Sequence, residues 1–269
     1  MKSGAAAHGD RTTAVAETVY FFGTCVIDLF SPESGLDAID VLQNIGVRVE
    51  YPVRQTCCGQ PAYTTGFPKE AASVAAAQLD LFPQPWPIVV PSGSCAGMLK
   101  QHWPRLFEGM PSLEAKAKDI AGRTVELTEF LVSRMGNELF RENAAPPIKI
   151  ALHTSCSARR EMSTHIHARR LIAKLPGVEL VDHDHEAECC GFGGTFSVKH
   201  PDISVSMAED KVKAVRLSGC HRLVSADCGC LLNLNGVLEK QGSPLRGEHL
   251  ASFIRSRLGR HSENGINDS

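Results

Sequence analysis

Four apolar runs punctuate the chain, each closing on a small polar turn and a cysteine: TVYFFGTC ending at Cys25, IVVPSGSC at Cys95, IKIALHTSC at Cys156 and RLVSADCGC at Cys230. Val, Ile and aromatic residues without helical spacing read as buried strands, and the Gly, Ser and Thr that follow read as their turns. Between them the period changes. SPESGLDAIDVLQNIGV predicts a helix with Ser31 as N-cap, Pro32 at its first position, and Leu36, Ile39, Leu42 and Ile45 on one face. VRVEYP then reads as a strand, and PKEAASVAAAQLDLF as a helix. The second part of the chain repeats the order. ARRLIAKLPG reads as helix, VELVDH as strand and PDISVSMAEDKVKAVRL as helix. VELTEFLVSRMGNELF reads as an amphipathic helix linking the two parts.

The repeat extends to the cysteines. Cys-Cys-Gly occurs in TCCGQPA, with Cys57 and Cys58, and in ECCGFGGTF, with Cys189 and Cys190. From the lone cysteine to the pair is 32 positions in one copy and 33 in the other, and from the pair to the last cysteine 37 and 40. Strand, helix, strand, helix, strand predicts a parallel α/β unit, written twice. Ligands of such sheets sit beyond the carboxyl ends of the strands. The pattern therefore brings four sulfurs to one rim in each copy. The boundary is expected in RENAAPPIK, residues 141–149, where Pro and Ala interrupt the pattern.

Composition narrows the chemistry. The 269 residues suffice for one large or two smaller cores, and a net charge of −2 gives no electrostatic case for nucleic acid or an anionic membrane. No apolar run approaches the roughly 20 residues of a membrane span. The start, MKSGAAAHGDRTTAVAE, is small and polar without a signal-peptide core, so it reads as a flexible leader on a cytoplasmic protein, and RHSENGINDS as a frayed tail. Ten cysteines in that compartment point to metal ligation or redox chemistry more than to disulfides.

Thiolates are soft donors that select zinc, copper(I) and iron–sulfur clusters. Zinc sites are built on C-x2-4-C knuckles, which neither copy has at the expected place. Adjacent cysteines are poor corners for one small ion and better ones for a four-iron group. Gly59 and Gly191 supply the backbone freedom, and Gly193 and Gly194 are expected to let N–H groups approach. GFGGTF matches neither a dinucleotide fingerprint nor a phosphate loop. Buried free cysteines acting as small hydrophobes explain one such residue but poorly explain eight in register. Cys220 falls outside the register. Cys228 competes with Cys230 for the last place: spacing favours Cys228 and flanking residues favour Cys230. His153, His183 and His185 lie near cysteines without a role that the pattern assigns.

The segments TCCGQPAYTTGF, PSGSC, HTSC, CCGFGGTFSVKHPDIS and ADCGCLLNLNG resemble the cysteine-rich CCG domain, duplicated, and within it the lactate-utilisation protein A family, over about residues 18–258. The B subunit of heterodisulfide reductase and the iron–sulfur subunits of glycolate and glycerol-3-phosphate dehydrogenases are more distant relatives. The resemblance implies two tandem pseudo-symmetric Rossmann-like domains, at 18–143 and 144–258, between a leader at 1–17 and a tail at 259–269. It implies an electron-transfer component that works with a second iron–sulfur protein and a third small protein in oxidising L-lactate to pyruvate. Cys25, Cys57, Cys58, Cys95, Cys156, Cys189, Cys190 and Cys230 carry over as ligands of one or two [4Fe–4S] clusters, with Cys228 an extra. The fifth cysteine of each heterodisulfide reductase motif is absent: Met98 and Asn233 stand there. That weakens a thiol–disulfide reductase reading. A zinc-stabilised interaction module is the third alternative.

Overall fold

The computed structural model describes residues 17–134 and 145–258. Most of the expected leader, the tail, residues 135–140 of the expected linking helix and 141–144 of the expected boundary lie outside them.

Two four-stranded, wholly parallel sheets carry the fold. The first contains β1 (Thr18–Phe21), β2 (Arg48–Glu50), β3 (Ile88–Val90) and β4 (Thr124–Glu126) in the order β2-β1-β3-β4. The second contains β5 (Ile148–His153), β6 (Val178–Val181), β7 (Arg222–Ser225) and β8 (Gly247–His249) in the order β6-β5-β7-β8. In both, the chain runs outward from the first strand, then crosses back to the other side. The point where the direction reverses lies between β1 and β3, and between β5 and β7. A crevice opens there at the carboxyl edge.

The inner strands β1, β3, β5 and β7 are largely apolar on both faces because both faces are covered. Val19, Phe21, Val89, Ile150, Leu152 and Val224 share one core, whereas Tyr20, Phe22, Ile88 and Val90 enter a second and Ala151 and Leu223 a third. The shared core is the layer between the two sheets. The helix Pro32–Asn44 packs on Leu250–Arg257, and Leu127–Arg134 on Thr164–Ile172. Each pair takes one helix from each half, and the repeat exchanges the pairs, so the interface is a pseudo-two-fold one. The Arg255–Asp40 ion pair and a 3.2 Å contact between the Ser252 and Ser34 hydroxyls close its rim. Each buried Leu, Ile, Val or Phe side chain there contributes about 1.5–3 kcal/mol, and an isolated half would expose that face to water.

Three local expectations change. Leu36 is 67% exposed; the buried face of Pro32–Asn44 runs through Gly35, Ala38, Val41 and Leu42, with Ile39 and Ile45 at its margin. Gly35 lies on that face because a Cβ there would stand 3.0 Å from Ile27. Ser31 occupies the N-cap position, but its hydroxyl pairs with Ser34 Oγ at 2.7 Å instead of a helix N–H. The expected linking helix starts only at Leu127, because Thr124–Glu126 adds an edge strand to the first sheet. Three residues containing a buried glutamate carry no strand period, and the same holds for β8. Among the described residues no helix is long and apolar enough to cross a membrane.

Candidate metal centre

All eight register cysteines follow carboxyl ends of strands. Cys25 and Cys156 open the short helices after β1 and β5, the Cys-Cys pairs lie in the loops after β2 and β6, and Cys95 and Cys230 lie in the first turn of the helices after β3 and β7. The inner strands and their outer neighbour thus supply four sulfurs to each switch point.

The two sets repeat each other in contact and in burial. Cys57 is in hydrogen-bonding contact with Cys25 and Cys58, and Cys58 with Cys95, whose sulfurs are 3.4 Å apart. Cys189 likewise touches Cys156 and Cys190, and Cys190 touches Cys230. Cys58, Cys95, Cys190 and Cys230 are buried, and the other four half-buried. In each set one thiol collects donors. The Cys25 and Cys58 thiols and the Gly59 N–H, 3.4 Å away, lower Cys57 to about 3. Cys156, Cys190 and the Gly191 N–H do the same for Cys189, to about 2. Their donors are pushed the other way: Cys25 by its bond to Cys57, Cys156 by its bond to Cys189, each with burial adding to the effect. In each set the thiol that collects donors is the one most easily deprotonated, and the thiolate is the form that binds metal.

The pair loops need their glycines. Gly59 and Gly191 lie at φ 88° and 83°, in the left-handed region, and a Cβ on Gly191 would stand 2.4 Å from the Ser204 carbonyl oxygen. Buried and half-buried side chains anchor each loop. In the first half the Gln78 amide donates to the Cys57 carbonyl at 2.8 Å and its oxygen accepts from Thr56 N–H, while Trp103 Nε1 donates to the Cys58 carbonyl at 2.9 Å. In the second, Lys211 donates to the carbonyls of His185 and Glu188, and Asn233 Nδ2 to that of Cys190 at 2.8 Å.

Both sets face one cavity of about 360 Å³, lined by all eight cysteines, by Gly193 and Gly194 at positive φ, and by residues of both halves. Asp227 sits between the sets. One of its carboxylate oxygens accepts from Ser92 Oγ at 2.8 Å and the Ser94 N–H at 3.1 Å, and the other from Ser155 Oγ at 2.8 Å. Ser92 and Asp227 are repeat-equivalent, three residues before Cys95 and Cys230, so this bond lies at the pseudo-two-fold axis.

Sequence patterns left five residues without a role. His153 ends β5 fully buried, with neither ring nitrogen partnered, and its imidazole, Cys190 Sγ and Cys230 Sγ lie within 4.8 Å of one another. Burial lowers it to about 3, with the nearby Lys211 charge adding to the effect, so the ring is neutral. A histidine closing the apolar run Ile150–Leu152, three residues before a register cysteine, was the available signal. Cys228 lines the cavity, and burial raises it to about 12. Cys220 lies away from the cavity, its sulfur 3.6 Å from the Val215 carbonyl. His183 contacts the Leu152 carbonyl and His185 contacts Glu188, so both brace the loop before the pair.

Comparison with known proteins matches the cysteine-rich CCG domain model twice, at residues 19–100 and 150–235. Lactate utilization protein A of Geobacillus kaustophilus is 41% identical over 239 residues, covering 89% of this chain and 99% of that one. Lactate utilization protein A 1 of Bacillus mycoides is 39% identical over 236 residues, 88% and 96% of the two chains. The Bacillus subtilis lactate utilization protein A is 36% identical over 239 residues, again 89% and 99%. Among solved structures, a hypothetical protein from Helicobacter pylori shares the fold, with a TM-score of 0.62 at 12% identity; the match covers 91% of this chain and about half (50%) of that one. With both CCG copies matched and its cysteine loops in duplicate, the chain belongs to the lactate utilization protein A family.

Proposed function

We propose that the chain is an iron–sulfur electron-transfer component of L-lactate utilisation, working in the cytoplasm. The observation that carries this reading is the pair of four-cysteine sets that share one cavity. The donor set suits the group: four soft sulfurs per half, one of them collecting hydrogen-bond donors, on loops whose carbonyls are anchored by side chains. In this reading Cys25, Cys57, Cys58 and Cys95 hold one [4Fe–4S] cluster, and Cys156, Cys189, Cys190 and Cys230 a second. When bound, such a cluster accepts and releases single electrons. The chain's own part is to hold the two close together, exclude water from the buried cysteines and direct N–H groups at the sulfurs.

The lactate role comes from the printed names of the relatives. The chemistry on the 2-hydroxy acid then lies on partners, a second iron–sulfur protein and a third small protein. A thiol–disulfide reductase reading is less well supported. Where that motif has its fifth cysteine, Met98 fills the core and Asn233 is engaged with the Cys190 carbonyl.

The test replaces the lactate utilization protein A of a lactate-growing bacterium with this chain. Growth on L-lactate is expected with the wild-type chain and lost with Cys58→Ser or Cys190→Ser, while growth on pyruvate is unaffected. Growth on lactate that persists in either variant contradicts the reading.

A further inference from the structure

The halves are equivalent in their cysteines but not in what lies against them. Three residues before Cys25 stands Phe22; three before Cys156 stands His153. Phe22 is buried in an aromatic group, 6.4 Å from the Trp103 ring and 6.2 Å from that of Phe82. His153 is as deeply buried, but without a partner for either nitrogen, and within 4.8 Å of the Cys190 and Cys230 sulfurs. An unpartnered buried polar group is costly to keep, and Phe22 shows that the position accepts an aromatic ring. Neutral Gln78 in the first half is answered by Lys211 in the second, buried among the carbonyls of His185, Glu186 and Glu188 in the loop that leads into Cys189.

We propose that His153 donates a hydrogen bond to the sulfur group of the second half, and that with Lys211 it makes that centre the more easily reduced of the two. The proposal rests on the iron–sulfur reading above. Its physics is simple. Reduction adds negative charge, and an N–H dipole and a buried cation stabilise that charge most where water is excluded. The first centre is backed by Phe22, Trp103 and Gln78, which carry no charge and whose N–H groups are taken up by backbone carbonyls. One electron added to the pair therefore resides on the second centre.

The experiment uses the full chain loaded with iron and sulfide without oxygen, with metal content measured first. Titration with dithionite, followed by electron paramagnetic resonance, is expected to show two separate steps. In protein labelled with [15N]histidine, the earlier centre should show a weak nitrogen coupling that changes with the label, and the later centre none. His153→Phe, which copies the first half, should keep all iron and sulfide and shift the earlier step toward the later one. His153→Gln, which keeps an N–H, should recover much of the separation. Coincident steps in the wild type, absence of the coupling, a coupling strong enough for an iron–nitrogen bond, or an unmoved step in a metal-replete His153→Phe each overturn the proposal. A chain that takes up no iron overturns the underlying reading as well, and the metal analysis separates that failure from the others.

Discussion

Behind Cys58 stands Trp103, whose indole N–H holds the Cys58 carbonyl; behind Cys190 stands Asn233, whose amide holds the same atom of the same loop. Gln78 and Lys211 make a second such pair; Phe22 and His153 are a third difference, though neither side chain holds a backbone group. A fourth lies at the ends of β4 and β8. Glu126 accepts from the Thr128 N–H, and His249 from the Ala251 N–H, each satisfying the start of the helix that follows. The backbone and the cysteines repeat because both halves need the same sulfur positions. A loop carbonyl or helix N–H needs only a partner, so the partner residue is free to differ. Those differences put aromatic rings and an uncharged amide behind the first set, and an imidazole and an ammonium behind the second.

The largest test of this equivalence is ligand removal. Cys58→Ser and Cys190→Ser should each cost the iron of its own half and leave the other half loaded, whereas Cys220→Ser should leave iron content unchanged; iron analysis of the purified variants decides. Equal loss from Cys220→Ser would mean that the register is misplaced. Next is the axis itself. Asp227→Ala strands two hydroxyls and an N–H from both halves and should cost about 4 kcal/mol in denaturant unfolding, with Ser92→Ala costing about 1.

The Glu126–His249 pair predicts opposite pH responses. Burial raises Glu126 to about 7 from an ordinary 4.5, so the folded state binds its proton more tightly than the unfolded chain does. Its contribution is complete below pH 4.5 and is lost as pH rises through about 7. Glu126→Gln should therefore stabilise the protein at pH 8, by on the order of 3 kcal/mol, and the gain should vanish by pH 4.5. Burial lowers His249, so its contribution is present above its ordinary 6.5 and erodes as pH falls below that. Urea titrations from pH 4.5 to 8 test both signs. A flat difference between Glu126→Gln and wild type would show that Glu126 ionises freely. The smallest effects belong to the loop anchors. Lys211→Gln should cost about 2 kcal/mol and Trp103→Phe about 1, with iron retained in both.

Much of this was legible in the chain. Long apolar runs ending in cysteine fixed the inner strands, and parallel pairing follows from the helix between each strand and the next. The eight cysteines stood in register because the duplication preserved their spacing. The edge strands β4 and β8 were hidden, since three residues carry no period and Val125 and Glu126 also fit the helical pattern that follows them. Leu36 misled because it is large and apolar, yet the close approach of the helices selects Gly35 and Ala38 for the buried face. Asp227, Gln78 and Lys211 were invisible because their partners are backbone groups and hydroxyls far away in sequence. His153 carried its signal in the comparison with Phe22, which becomes decisive only once both are seen beside sulfur.

The central claim is that each four-cysteine set holds an iron–sulfur cluster. The direct measurement is iron, acid-labile sulfide and zinc per chain on protein prepared without oxygen. The account predicts about eight irons with matching sulfide and negligible zinc, falling to about four of each in Cys58→Ser and in Cys190→Ser. Zinc without sulfide, at one or two ions per chain, would contradict it and leave the cysteines a structural role.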